Sequence, residues 1–331
     1  MAKVTPRRSF LPVVHASDNF PYGPVDSAYY YQLFLPDDDE PHGYMLPAIV
    51  DKMPWTAAFA ISHEPPRSVS VRDRSSKKGQ NAAWAVNVAF QELVDACIAR
   101  DSFHVLAGRH SEPFAVLGAR YDSPVSVERF ATTLFGLTTR GVHLVAYTTG
   151  MGMGTGVERE KEKEIDKIWI ARRARHLYSY PDMLDSTVAG GLKAGALPLQ
   201  AILEEADEEA SFAEDFVREQ IRSRGVLSHM SVTGKGMPGE QGLVNPDYIY
   251  VYDMELPGDV VPKPQDDEVN RFYGMTVDQV REALLNGEFK PDSGAVLVDF
   301  FIRHGIVTPE NEENFVEINM RLHRRLPFRI A

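Results

Sequence analysis

Five acidic side chains fill the six positions from Glu204 to Glu209, and four of them are glutamates: Glu204, Glu205, Glu208 and Glu209. Residues 190–212 read as a glycine turn followed by one short helix that carries them. Like charges at i,i+4 (Glu204 with Glu208, Glu205 with Glu209) repel by a few tenths of a kcal/mol per pair, on the order given for helix surfaces. Glu208 and Glu209 also fall near the helix C-terminus, where the macrodipole disfavours anions. At about 100° per residue, Leu199, Ile202, Leu203, Ala206 and Ala210 make an apolar stripe. Glu205, Glu208 and Glu209 cluster on one flank of it, while Asp207 points to the other side. Three hard oxygen donors on one face suit Mg²⁺ or Mn²⁺. Taken alone, the pattern fits either such a site or a solvated acidic face.

The elements that position this face are legible around it. A glycine turn, Gly190-Gly191, precedes the helix, and its lack of side chains lets backbone approach an ion closely; the Gly191 carbonyl is a candidate further ligand. Strands are predicted over 141–148 and 167–172. Arg172 and Arg173 end the second strand, and alternation directs only one of them at the site, where it could grip an anion bidentately. The glycine-rich stretch between these strands lacks the strand-turn-helix frame of a dinucleotide site and reads as a long hairpin loop. Further strands are expected over 225–233, 247–255 and 269–275, and helices over 214–223, 276–285, 293–304 and 310–322. Glu240, in a loop expected over 234–246, is a candidate extra carboxylate or a solvated loop residue.

Upstream, residues 82–99 and 125–137 read as amphipathic helices. Residues 36–43 read as a solvated acidic loop, and 72–81 as a polar connection. His143 and His229 fall in strand patterns and read as packed. Trp55, Phe20 and Tyr22 could stack on a flat ring or pack in a core. The expected fold class is α+β, with a mixed sheet packed between helices. Domains are drawn at 1–137 and 138–331.

Composition bounds the rest. Of 331 residues, 44% are hydrophobic and 25% charged, with a net charge of −12 and a pI near 5.3. That balance argues against a general nucleic-acid binder, and it requires local cations or a metal if the substrate is anionic. A single cysteine, Cys97, excludes an internal disulfide and a thiolate metal site. No apolar run is expected to span a membrane, and no signal-peptide pattern opens the chain. A cytoplasmic protein is expected; the sequence does not give the oligomeric state.

The run from Gly190 to Phe212 resembles the Nudix box, whose pattern ends Arg-Glu-U-x-Glu-Glu-x-Gly-U with U aliphatic. Glu205, Glu208 and Glu209 match its three metal-binding glutamates. Glu204 stands in place of the basic residue and Ser211 in place of the glycine, and the early glutamate is missing, with Leu197 or Gln200 there instead. The loop after Gly191 is one residue shorter. Almost end to end, the chain is similar to fungal and plant Nudix proteins whose N-terminal domain is related to thiamine pyrophosphokinase sequences. Strings carrying that similarity include 18–22 (DNFPY), 135–143 (FGLTTRGVH), 180–191 (YPDMLDSTVAGG), 299–305 (DFFIRHG) and 321–328 (RLHRRLPF).

The resemblance implies a Nudix α/β/α sandwich preceded by a smaller α+β domain. It implies Mg²⁺- or Mn²⁺-dependent hydrolysis of a small-molecule diphosphate, with thiamine diphosphate or its oxo and oxy damaged forms preferred. Oxidised nucleoside diphosphates of the 8-oxo-dGDP type are the alternative substrate, and a non-catalytic ligand sensor is the alternative role. Glu205, Glu208 and Glu209 would hold metal with Gly191, and Glu208 or Glu209 would accept a proton from water. Arg172 or Arg173 would bind substrate.

Overall fold

Apolar side chains alternate along strands such as β4 and β7, and the strands form two larger sheets and a two-stranded one. The computed structural model describes residues 8–75, 81–106, 111–151, 163–234 and 239–330. The connection expected over 72–81, the hairpin loop between 149 and 166, and the loop 234–246 lie partly outside the described residues. The first part runs α1 (Leu11–Ser17), β1 (Tyr31–Phe34), β2 (Gly43–Met45), α2 (Pro47–Lys52), β3 (Phe59–Ser62) and β4 (Ser68–Val71). It continues with α3 (Ala82–Ala99), β5 (Pro113–Ala115), β6 (Ser126–Glu128) and α4 (Thr132–Phe135). Then follow β7 (Thr139–Met151), β8 (Lys163–Arg173), β9 (Leu184–Asp185), β10 (Val188–Gly191), α5 (Pro198–Ala210) and α6 (Glu214–Gln220). The chain closes with β11 (Arg222–Val232), β12 (Val244–Glu255), β13 (Val269–Met275), α7 (Val277–Leu285), α8 (Pro291–Arg303) and α9 (Phe315–Leu322).

The first sheet has the order β2-β1-β4-β3, with only β1 and β4 parallel. Its core takes Leu33, Met45 and Val69 from strands and Val86, Phe90 and Leu93 from α3. By length and composition the 18-residue α3 is apolar enough to cross a membrane, contrary to the expectation from sequence. Its apolar face is filled instead by protein: Phe90 lies edge-on to Phe135, centroids 5.0 Å apart, and Cys97 is buried beside Met53. Residues 125–137 are a second correction, because the expected helix begins as strand β6. Pro124 and the β-branched Val125 and Val127 favour extended backbone, Val127 pairs with Phe114, and only 132–135 is α-helical.

The second sheet runs β11-β12-β7-β8-β13, with β10 added to β7 and β9 to β8. β12 and β7 are parallel and the other pairs antiparallel, so the sheet is mixed as expected. Strand β7 shows why two layers of helix cover it. Val142, Leu144 and Ala146 point into a core with Ile202, Leu203 and Ala206 of α5, while Val145 and Tyr147 point to the opposite face with Phe300 of α8 and Val280 of α7.

The chain ends interlace these parts. Although α1 opens the sequence, it packs on α8 in the second core, where Phe10 meets Phe301 edge-on at 6.0 Å. At the other end Arg329 pairs with Asp38 at 2.8 Å and with Glu40 at 2.9 Å, so the acidic loop is partly neutralised rather than simply solvated. Asp18 is the main tie. It is fully buried, accepts the Met230 N–H at 3.0 Å and pairs with Arg324 at 3.0 Å. Arg324 also lies 4.0 Å from the Tyr22 ring centroid, and Phe20 is buried with Leu326 and Phe328. Phe20 is a packing residue, whereas Tyr22 keeps half of its surface exposed. Trp55 packs on Phe59 and donates to the Val50 carbonyl.

Removing the Asp18 carboxylate strands a buried guanidinium and a strand N–H. Asp18→Ala is expected to lower unfolding stability by about 3–5 kcal/mol, measured by urea denaturation; a loss below 1 kcal/mol would show that the tie is dispensable.

Candidate active site

The acidic helix forms where a short helix was expected and runs over Pro198–Ala210. Pro198 occupies its first turn, where a missing N–H is harmless. It ends at Ser211 in the left-handed conformation, φ 58°, the place usually taken by glycine. Ser211 compensates through its hydroxyl, which donates to the Lys263 carbonyl at 2.9 Å. Ile202, Leu203, Ala206 and Ala210 bury their stripe on the sheet, whereas Leu199 remains 39% exposed.

This seating drives two of the glutamates inward. Glu209 is 5% exposed, and its carboxylate accepts the Ala189 N–H of β10 at 3.0 Å. Glu205 lies against the backbone of Gly190: a Cβ there would overlap its carboxyl group, so the position requires glycine. Burial, reinforced by the charges of Glu208 and Glu268, raises the Glu205 carboxyl to about 7. Burial and the charge of Glu205 push Glu209 well above the carboxylate range. Glu208 is exposed on the next turn, and Asp207 is exposed on the opposite flank. Among the described residues the three glutamates do not form a ready-made three-ligand group.

The donor chemistry nevertheless fits a hard divalent cation. Two carboxylates are held inward at a glycine turn, in surroundings that disfavour them as a bare pair of anions. A cation with two positive charges relieves that condition. Glu205 and Glu209 would form the inner pair, with Glu208 reaching in from solvent. Gly191 sits beside them at the end of β10, paired with Gly141.

Glu204 also has an explanation that its local sequence hides. Lys193, from the loop before α5, holds it at 3.0 Å, and the Gln200 amide donates to its other oxygen at 3.0 Å. These bonds keep the Glu204 carboxyl below its usual range, the Gln200 bond first. The acidic residue in a basic position therefore carries its own counter-charge.

The two candidate substrate arginines are occupied elsewhere. Arg173 donates to Asp185 at 2.9 Å and to the carbonyls of Ser179 and Tyr180. Arg172 donates to the Asp182 carbonyl at 2.7 Å. Both brace the 179–185 segment, which replaces the expectation that one of them is free to face the glutamates. Glu240 is a structural residue as well: its two oxygens accept the backbone N–H groups of His104 and Val105 and tie its loop to the first domain. His143 and His229 are buried, and burial lowers the His143 imidazole to about 4.

Sequence reasoning missed a buried polar network behind the glycine turn. Ser293 donates to Asp185, Lys290 pairs with Asp292 at 2.8 Å, and Ser186 meets His143 Nδ1 at 2.9 Å. Asp185 to Gly191 are contiguous in sequence, so the network and the turn move as one piece. It also missed Arg129, Glu112 and Phe114, which come from the first domain to the edge of this site. Nothing in their local pattern marked them.

No family model matches the chain. It is 32% identical over 224 residues to Nudix hydrolase 20, chloroplastic, of Arabidopsis thaliana, a match covering 67% of this chain and 54% of that protein. It is 33% identical over 198 residues to Nudix hydrolase 24, chloroplastic, of the same plant, covering 60% and 48%. An uncharacterized protein of Saccharomyces cerevisiae is 36% identical over 208 residues, covering 62% and 58%. These matches support the Nudix hydrolase family. The chain spans about half the length of the curated relatives it matches.

A site built this way has a pH signature. The Glu205 carboxyl is raised from 4.5 to about 7, so its neutral form is the one the fold favours. Its contribution is complete below 4.5 and is lost as pH rises through about 7. With chelator present, unfolding stability is expected to fall by roughly 1–3 kcal/mol between pH 5 and 8, and Mg²⁺ should restore it at the upper end. Thermal unfolding with EDTA and with Mg²⁺ measures this. A chelated protein equally stable at both pH values would contradict the burial of Glu205.

Proposed function

We propose that this chain hydrolyses a small-molecule diphosphate with the help of Mg²⁺ or Mn²⁺, thiamine diphosphate or its oxo and oxy damaged forms being the preferred substrates. The observation that carries the reading is the inward pair Glu205 and Glu209 at the Gly190-Gly191 turn. The names of the plant relatives support the reaction class. The choice of substrate rests on the sequence resemblance to the thiamine-related subfamily.

A diphosphate resists water because its negative oxygens repel a nucleophile, and the bound metal supplies the charge that offsets this. The chain's own residues do the rest. Ala189 N–H fixes Glu209 in one orientation, and Gly190 leaves the room that Glu205 needs. Glu208, exposed to solvent, is placed to take a proton from water. The Lys193–Glu204 pair keeps a fourth negative charge from adding to the cluster. That pairing answers one of the two features behind the sensor alternative, Glu204; the other is the missing early glutamate.

The test is phosphate release from thiamine diphosphate, its oxo form and 8-oxo-dGDP, each with Mg²⁺ and with Mn²⁺. Turnover of the thiamine compounds is expected, falling about 100-fold or more in Glu209→Gln and in Glu205→Gln, the order of loss when a metal or charge-stabilising group is removed. Preference for 8-oxo-dGDP would replace the substrate assignment. Undiminished turnover in the double variant would remove these glutamates from the site. Tight metal-dependent binding with no turnover would make the protein a sensor.

A further inference from the structure

The hairpin β5–β6 belongs to the first domain, yet it forms one wall of the glycine turn. Ala194 N–H, in the loop leading to α5, donates to the Pro113 carbonyl at 2.8 Å. Phe114 covers Gly191 so closely that a Cβ there would stand 2.6 Å from its Cζ. The same Cβ would stand 3.5 Å from the guanidinium carbon of Arg129. Gly190 and Gly191 thus lie between Glu205 on one side and Arg129 on the other.

Arg129 is pre-set. Its guanidinium lies over the Phe114 ring, 5.5 Å from the centroid, and 5.8 Å from that of Phe130. Its backbone N–H donates to the Glu112 carbonyl at 3.2 Å, and its Nη1 meets Glu112 Oε1 at 2.8 Å. The side chain is 43% exposed, so the aromatic packing leaves part of the planar fork open. Its charge opposes the burial and like-charge effects at Glu205, while Glu112 adds to them.

We propose that Arg129 is a substrate-binding residue supplied by the first domain: its guanidinium, across the Gly190-Gly191 turn from Glu205, grips the end of a diphosphate that extends past the turn from the Glu205–Glu208–Glu209 face, and Glu112 holds it when substrate is absent. This rests on the diphosphate reading above. An anionic substrate entering a protein of net charge −12 needs a cation at the site, and Arg172 and Arg173 are bound to the 179–185 segment. The Glu112–Arg129 pair is solvent-exposed, so little is lost when it opens. A diphosphate then offers the fork two charged oxygens in place of one. The aromatic contacts limit the side-chain freedom lost on binding.

The experiment compares Arg129→Gln, Arg129→Lys and Glu112→Gln in the full chain, with steady-state kinetics on the best diphosphate of the panel. Binding of methylenediphosphonate with Mg²⁺, by calorimetry, is the second readout. Arg129→Gln should raise KM and weaken analogue binding by about tenfold or more, the value of a charge-assisted hydrogen bond, without a matching drop in melting temperature. Arg129→Lys should recover part of the loss. Glu112→Gln frees the guanidinium and should lower KM. The opposite signs decide the matter: a purely structural ion pair would make Arg129→Gln and Glu112→Gln impair the protein alike, and that result overturns the proposal. If the wild type turns over no diphosphate, the hydrolytic reading falls by itself. In that case a tenfold loss of Mg²⁺–methylenediphosphonate binding in Arg129→Gln still upholds Arg129. Unchanged binding, or none in the wild type, overturns it.

Discussion

The hydrogen bond from Ala189 N–H to the Glu209 carboxylate organises the site. It joins the acidic helix to an edge segment of the sheet, and it does so through a group that water would otherwise solvate. A buried carboxylate with one N–H partner and a second carboxylate nearby is costly as an anion. It persists because the neighbouring structure fixes its place. Strand β10 is locked by pairing Ala189 with His143, and α5 is locked by four apolar residues on the same sheet. Neither element can shift without moving the other, so the position of Glu209, and with it Glu205 over Gly190, follows from packing.

The cations nearest this pair make their direct ion pairs with other acids, so Arg129 and Arg173 offset Glu205 and Glu209 only at longer range. Lys193 serves Glu204, Arg173 serves Asp185, and Arg303 serves Asp253 at the far side of the sheet. Each pairing neutralises an acid outside the Glu205–Glu209 pair. The overall negative charge therefore concentrates where a metal is useful. Bracing of the 179–185 segment by Arg172 and Arg173 has the same logic: it stiffens the polypeptide leading into the glycine turn, using side chains that sequence alone suggests for substrate.

What the sequence discloses follows from the range of the interactions involved. That α5 is a helix was legible because its apolar stripe and its acidic flank lie within thirteen residues. Strand β13 and the mixed sheet were legible for the same local reasons. The helix expected over 125–137 failed at its start because Val127, Phe130, Ala131, Leu134 and Phe135 keep helical spacing while Val125 and Val127 alternate as in a strand, and pairing with β5 decided between them. Lys193 was invisible as the partner of Glu204 because eleven residues and a turn separate them. Glu240 looked like a free loop carboxylate because its partners, His104 and Val105, lie 136 and 135 residues away. The three glutamates were found through spacing; how they differ in burial was not, since that depends on the sheet beneath them.

Residues before β7 are tied to the rest of the chain at several points. Asp18 joins the N-terminal segment to β11 and to Arg324, Arg329 pairs with Asp38, and Glu240 accepts the backbone N–H groups of residues 104 and 105. These ties are well separated along the chain, so they resist rotation of one part against the other. Phe114 and Gly191 are in close contact at the point where the two parts meet. A side chain at position 191 would run into the Phe114 ring, so this wall can stand against the turn only because the residue there is glycine, although the ring comes from far earlier in the chain.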